Sequence, residues 1–284
     1  MTAITKVTVL GTGVLGSQIA YQTAYHGVDV VAYDISDEIL EKAKARFAGL
    51  ADTYKAEMPG ATDESVQAAL GRITYSADLA DAVKDADLVI EAIPEILDLK
   101  RDTYTRLGEV APAKTIFATN SSTLLPSDLK EFTGRPEKFL ALHFANHVWR
   151  QNTAEVMGTD STDPEVYRRV VDFATAIGMV PIELKKEKAG YVLNSLLVPF
   201  LRAGAELLVD GIADPETVDK TWRIGTGAPL GPFQIYDIVG LTTAYNISAA
   251  GDEPQQRFAK YIKENYIDKG KLGVATGEGF YKYS

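Results

Sequence analysis

The feature that most constrains this chain is at its start. Lys6–Leu10 is a short run rich in β-branched residues. It runs directly into Gly11-Thr12-Gly13-Val14-Leu15-Gly16, and a helix-forming stretch from Ser17 to His26 follows. Val28–Tyr33 is a second apolar run, closed by Asp34. Strand, glycine turn, helix, strand and acid in this order make a dinucleotide-binding unit. Gly11 allows the tight turn, Gly13 lets a pyrophosphate approach the backbone, and Gly16 lets helix and strand pack closely. With Val14 and Leu15 they form the candidate phosphate turn, where helix N–H groups and a positive dipole end face the anion. Asp34 lies 18 residues past Gly16. Its carboxylate suits the adenosine ribose hydroxyls and repels a 2′-phosphate, and no arginine follows it directly, so NAD is expected rather than NADP. A helix N-cap is the other reading of Asp34.

Composition narrows the rest. The 284 residues suffice for one large domain or two ordinary ones, and 46% hydrophobic with 24% charged is usual for a globular protein. No apolar run approaches the ~20 residues of a membrane helix, and residues 1–5 lack the pattern of a signal peptide. A cytoplasmic location is expected. The chain has no cysteine, which excludes disulfides, thiol nucleophiles and Cys-ligated metals. A net charge of −10 disfavours nucleic acid and requires a local basic patch for any polyanionic substrate. Only three histidines, His26, His143 and His147, are available as acid or base near neutral pH.

Along the first half, apolar runs at 73–75, 87–91, 115–119, 139–144 and 153–157 alternate with helical patterns at 38–57, 63–70, 95–111 and 163–177. That alternation predicts a Rossmann-type, doubly wound parallel sheet covered on both faces. The helical pair within 38–70 is long for a crossover and reads as an arm projecting from the sheet. The pattern changes near Lys185. Apolar residues then recur at helical spacing from Tyr191 to Val209, with Pro199 expected to kink the helix, and helices are expected at about 214–224, 231–239, 241–249 and 255–268. The expected division is an NAD-binding α/β domain, 1–185, and a C-terminal all-helical domain, 186–284, that exposes enough apolar surface to form a homodimer.

Two polar segments follow predicted strands, Asn120-Ser121-Ser122-Thr123 and His143-Phe144-Ala145-Asn146-His147. In open α/β sheets ligands bind outside the carboxyl ends of strands, so both point at the cofactor crevice. A histidine there can exchange a proton with a hydroxyl as hydride leaves its carbon. Glu155 stands in the apolar run Ala154–Met157 and, as an acid inside a strand, needs a partner. Taken singly, a buried histidine is more often structural, and Asn-Ser-Ser is ordinary turn chemistry.

Over nearly its whole length the chain resembles the L-3-hydroxyacyl-CoA dehydrogenase family, including the 3-hydroxybutyryl-CoA dehydrogenases. The likeness rests on the segments 10–20, 91–100, 118–123, 142–146, 154–157, 189–200, 227–240 and 277–283, in order. It implies NAD-dependent oxidation of a 3-hydroxyacyl-CoA to the 3-ketoacyl-CoA, in fatty acid metabolism and without a metal. It implies roles as well. His143 matches the catalytic histidine, Glu155 its carboxylate partner, and Ser122 and Asn194 the residues on the substrate oxygen. Glu95 and Lys100 match residues on the nicotinamide-ribose side, with Asn120 in the same crevice.

The run Asn146–Thr153 departs from the family pattern, with His147 in place of proline, followed by Trp149 and Arg150. A Trp149 ring turned inward would favour short acyl groups. Arg150 would hold a carboxylate, which suits a free hydroxy acid, or meet an acid at the surface, which leaves coenzyme A as the handle. Lys42, Lys44, Arg46 and Lys55 on the arm suit coenzyme A, or else belong to a solvated helix pair. His147 is the rival base. A dehydrogenase of free hydroxy acids and a crystallin-like, non-enzymatic NAD-binding protein are the alternatives.

Overall fold

The computed structural model describes residues 3–283. Met1 and Thr2, in the segment 1–5 read above, and Ser284, at the end of the expected second domain, lie outside the described residues. The chain forms two compact units that divide between Val192 and Leu193. Among the described residues no helix is long and apolar enough to cross a membrane.

The first unit is built on β1 (Lys6–Leu10), β2 (Asp29–Tyr33), β3 (Ile73–Ser76), β4 (Leu88–Glu91), β5 (Ile116–Thr119), β6 (Phe139–Phe144), β7 (Thr153–Gly158) and β8 (Val180–Leu184). These described strands form one sheet in the order β3-β2-β1-β4-β5-β6-β7-β8. The pairs among the first six are parallel, with the chain switching sides between β1 and β4, which is the Rossmann order. The parallel expectation fails at one pair: β7 runs antiparallel to β6. Residues 145–152 between them hold no helix, and so short a connection can only turn the chain back. β8 returns parallel to β7. Sequence patterning does not signal β8, because Pro181 and Glu183 interrupt its apolar residues.

Side chains alternate across this sheet. Val7, Val9, Val30, Ile90, Ala118 and Leu142 face one core with Ile19, Phe47, Tyr54 and Phe173, from α1 (Val14–Tyr25), α2 (Asp37–Glu57) and α6 (Pro164–Ala176). Leu10, Val89, Phe117 and Phe139 face the other, with Val83 from α4 (Leu79–Val83) and Tyr104 and Leu107 from α5 (Leu97–Val110). The helical pair, α2 and α3 (Asp63–Gly71), does not project as expected. Leu40, Ala43, Phe47, Ala51 and Tyr54 recur three or four residues apart, so one stripe of α2 is buried, and the pair packs on α1.

The second unit contains α7 (Leu193–Val209), α8 (Pro215–Thr226), α9 (Pro232–Val239), α10 (Leu241–Ala249) and α11 (Glu253–Asn265). Tyr191 is not helical as expected; α7 starts two residues later and continues through Pro199. Phe233, Tyr236, Phe258 and Ile262 form the core, and Phe280 of the tail packs against it. Asp237, 1% exposed, holds the tail in place. It accepts hydrogen bonds from Phe280 N at 2.8 Å, Tyr281 N at 2.9 Å and the Tyr283 hydroxyl at 2.8 Å. Removing the carboxylate leaves these donors without that acceptor. Asp237→Ala should therefore cost about 2–4 kcal/mol, read as a lower urea midpoint at unchanged slope. A loss under ~0.5 kcal/mol would show that the tail docks without it.

Candidate active site

The turn after β1 has the geometry its glycines require. Gly11 has φ +92°, and a Cβ there would lie 2.6 Å from the Ala92 carbonyl oxygen. A Cβ on Gly16 would meet the Gly11 oxygen at 2.0 Å, whereas one on Gly13 would have nothing within 4 Å. Two of the glycines are thus needed for packing, and the third leaves open space. Gly13 is the N-cap of α1, which begins at Val14, three residues before the expected Ser17. Having no side chain, it cannot cap the helix, and the first-turn amides of Val14, Leu15 and Gly16 stand at the edge of a cavity. The same cavity is lined by Ala92, Ile93, Glu95, Lys100, Asn120, Ser122 and Thr123, at the carboxyl ends of β1, β4 and β5. It therefore gathers most of the residues expected to hold the cofactor.

Asp34 lies at the end of β2, outside that lining. One carboxylate oxygen accepts from Thr12 N at 2.8 Å and Thr12 Oγ1 at 2.7 Å, the other from Ile35 N at 2.8 Å. Ser36, not Asp34, caps α2, so the N-cap reading falls. Although no arginine follows Asp34 in sequence, the fold brings one to the turn: Arg46 of α2 donates to the Thr12 carbonyl at 2.9 Å.

Lys100, fully buried, is tied to Glu91, also fully buried, at 2.5 Å and to Glu95 at 3.3 Å. Glu91 also accepts from Ile93 N at 3.0 Å and Thr119 Oγ1 at 2.9 Å. Burial opposes ionisation of Glu95, but hydrogen bonds from Ser121 and Thr123, with the Lys100 charge, outweigh it and hold the carboxyl down at about 2. Asn120 accepts from Phe144 N at 2.9 Å and so ties the ends of β5 and β6 together.

The antiparallel pair places His143 directly opposite Glu155. Opposed residues on such strands share a face. His143 Nδ1 lies 3.0 Å from Glu155 Oε2 and its Nε2 3.1 Å from Ser122 Oγ, with His143 4% and Glu155 2% exposed. An ionised Glu155 requires a proton on Nδ1, which leaves Nε2 to take or give one beside Ser122. Asn194 stands in the first turn of α7, in the second unit.

The loop that departs from the family pattern is tied to α1 and α2. His147, at φ +60°, donates its N–H to Gln18 at 2.7 Å, and its ring stands edge-to-face with that of Trp149, centroids 5.3 Å apart. The Trp149 ring packs 5.5 Å from that of Tyr54 and donates to Glu57 at 2.6 Å. Arg150 pairs with the same Glu57 at 2.9 Å. The short-chain expectation therefore loses the inward-facing ring it rested on, and Arg150 meets an acid at the surface. On the helical pair, Lys42, Lys44 and Lys55 are matched to Glu38, Glu41 and Asp63.

Two residues of the site escape sequence reasoning. Glu91 is an acid closing an apolar strand, the same signal that marked Glu155. Tyr191 reads as an apolar residue of a helix, yet its ring stacks on His143 with centroids 4.4 Å apart and planes 11° from parallel.

Comparison with known proteins agrees with this architecture. The family model described as 3-hydroxyacyl-CoA dehydrogenase, NAD binding domain, matches residues 6–188, and that of the C-terminal domain matches residues 190–283. The mitochondrial hydroxyacyl-coenzyme A dehydrogenase of Rattus norvegicus is 36% identical over 291 residues, covering 99% of this chain and 91% of the relative. The solved structure of (S)-3-hydroxybutyryl-CoA dehydrogenase from Ralstonia eutropha is 30% identical, with a TM-score of 0.82, 99% of this chain covered and 100% of that one. A solved structure described as "Substrate-directed dual catalysis of dicarbonyl compounds by diketoreductase" is 76% identical, with a TM-score of 0.97 and both chains covered at 100%. The chain belongs to the 3-hydroxyacyl-CoA dehydrogenase family of NAD-dependent oxidoreductases.

Proposed function

We propose that this enzyme reduces a ketone standing β to a second carbonyl, and oxidises the corresponding alcohol, with His143 as acid and base. The observation that carries the reading is the chain from half-buried Ser122 to the buried pair His143 and Glu155, with contacts of 3.1 and 3.0 Å. Bound NAD supplies hydride transfer at the substrate carbon. His143 Nε2 gives its proton to the carbonyl oxygen in reduction and takes it back in oxidation. Glu155 holds the tautomer and offsets the imidazolium charge. Ser122 donates to the same oxygen; Asn194 is assigned there on family resemblance alone. What supports the cofactor assignment is the open space at Gly13 beside the uncapped first turn of α1. Asp34 is assigned to the adenosine ribose.

His143→Ala should lower turnover roughly 10²–10⁴-fold at nearly unchanged NADH affinity. Glu155→Gln should cost less, because the amide keeps an orienting contact but not the charge. Near-normal turnover of the His143 variant, alongside loss in His147→Ala, would move the base to His147.

A 3-ketoacyl-CoA is itself a 1,3-dicarbonyl, so the family's chemistry and that of the diketoreductase neighbour meet in one substrate class. Acyl-CoA is the first reading. A diketone without coenzyme A is the second, favoured by the 76% identical neighbour and by the paired lysines of the helical pair. The free hydroxy acid loses the arginine that kept it open, since Arg150 is paired with Glu57. A crystallin-like role is disfavoured by the intact buried dyad.

The deciding measurement is kcat/KM with NADH for acetoacetyl-CoA against a simple 1,3-diketone without coenzyme A. We expect acetoacetyl-CoA to be turned over, and NADPH to serve at least about tenfold less well. A higher kcat/KM for the diketone would install the second reading, and no turnover of either would end both. Equal use of NADPH would show that Arg46 compensates for the charge of Asp34.

We also infer a homodimer through the helical unit. It leaves Leu196 69%, Ile212 70%, Ile224 76% and Ile247 55% exposed, apolar side chains that a second copy would cover. Sedimentation equilibrium should give twice the chain mass, and a monomer at micromolar concentration would refute it.

A further inference from the structure

The segment Gly190–Val192 touches every member of the Ser122–His143–Glu155 chain. Gly190, at φ +81°, donates its N–H to the Ser122 carbonyl at 3.1 Å. Val192 N donates to Glu155 Oε1 at 2.9 Å, the carboxylate oxygen that does not face His143. Between them Tyr191, 1% exposed, lays its ring on the imidazole at 4.4 Å and sends its hydroxyl to the Ser121 carbonyl at 2.8 Å. Tyr191 itself has φ +51°. A bulky residue rarely adopts this conformation, and it persists only where the surroundings over-determine it.

We propose that Tyr191 is a positioning residue for the reaction. Its ring holds the His143 imidazole in the plane that presents Nε2 to Ser122 and stabilises the imidazolium through its π face, while its hydroxyl fixes the backbone carrying Ser122. This rests on the assignment of His143 as the acid and base. A protonated imidazole over an aromatic face is favoured by the ring quadrupole, and more so when shielded from water. Among the described residues, the titratable groups against the His143 ring are Glu155 from β7 and Tyr191 from the segment before α7. Burial, with nearby carboxylates, pushes the Tyr191 hydroxyl well above its ordinary value, so it stays a donor throughout the working range.

The test compares Tyr191→Leu, which removes ring and hydroxyl, with Tyr191→Phe, which removes only the hydroxyl. In ketone reduction the imidazolium is the reactive form, so the rate falls as pH rises through its pKa. We expect Tyr191→Leu to lower kcat roughly tenfold at unchanged KM for NADH. The midpoint of that fall should move down by roughly half a pH unit. Tyr191→Phe should keep the midpoint and lose less than about threefold in kcat. A folded Tyr191→Leu with wild-type kcat and midpoint overturns the proposal. Should that variant not fold, Tyr191→Met gives the same readout; if neither folds, the residue is structural and the proposal is likewise overturned. His143→Ala separates the two levels. If that variant keeps its turnover, the underlying assignment fails. If it is inactive while Tyr191→Leu is unaffected, only the role of Tyr191 fails.

Discussion

The site depends on the antiparallel register between β6 and β7. Every other pair from β1 to β6 is parallel, which carries each strand's end to the same edge of the sheet. One reversal then sets His143 across from Glu155. A slip of one residue would turn either side chain to the opposite face of the sheet. The pair is nearly inaccessible to solvent, and a lone buried charge costs more than the pair gains. Each residue is therefore favoured there by the other. The second oxygen of Glu155 is occupied by Val192 N, so both oxygens are held and the orientation of the imidazole is fixed.

A second buried charge pair secures the crevice. Lys100 and Glu91 bring an α5 side chain onto the end of β4, and Glu91 is bonded in turn to Thr119 at the end of β5. Glu95 joins this network at the cavity edge. Its carboxyl is held below the ordinary carboxylate range, so its stabilising contribution is complete above about 4.5 and is lost as pH falls from there through about 2. At physiological pH the edge of the crevice therefore carries a fixed negative charge next to buried Lys100, and the strand ends that hold Asn120 and Ser122 are tied to it.

Much of this is legible in the sequence where a local rule applies. Glycine spacing, the acid after the second strand and the helical period of α2 and α11 reflect contacts within a few residues or steric demands of the backbone. Glu155 is found because a carboxylate in an apolar strand needs a partner. The same rule, applied to Glu91 at the end of Leu88–Glu91, would have located the Lys100 network. Features set by long-range packing are not legible. Arg46 lies 34 positions from Thr12, whose carbonyl it meets. Tyr191 lies 48 positions from the histidine it covers, and no periodicity separates an aromatic in a helix from one stacked just before it. The strand β8 is hidden by its proline. The length of the helical pair suggests an arm, but the stripe Leu40–Tyr54 buries α2 against the body of the unit.

The loop at 145–152 ties these strands of argument together. Its departures from the family pattern, His147, Trp149 and Arg150, look in sequence like changes to a substrate pocket. In the fold they anchor a turn. Gln18 of α1 accepts from His147 N, while Trp149 and Arg150 share Glu57 at the end of α2. The exposed Arg150–Glu57 pair alone is worth little, but the Trp149 ring packs against buried Tyr54, and Tyr54 is hydrogen-bonded to Gln22 of α1. This turn is also the one that reverses the chain from β6 to β7. Holding it to two helices restrains the register that pairs His143 with Glu155. The unusual residues of this loop therefore secure the turn that carries the dyad.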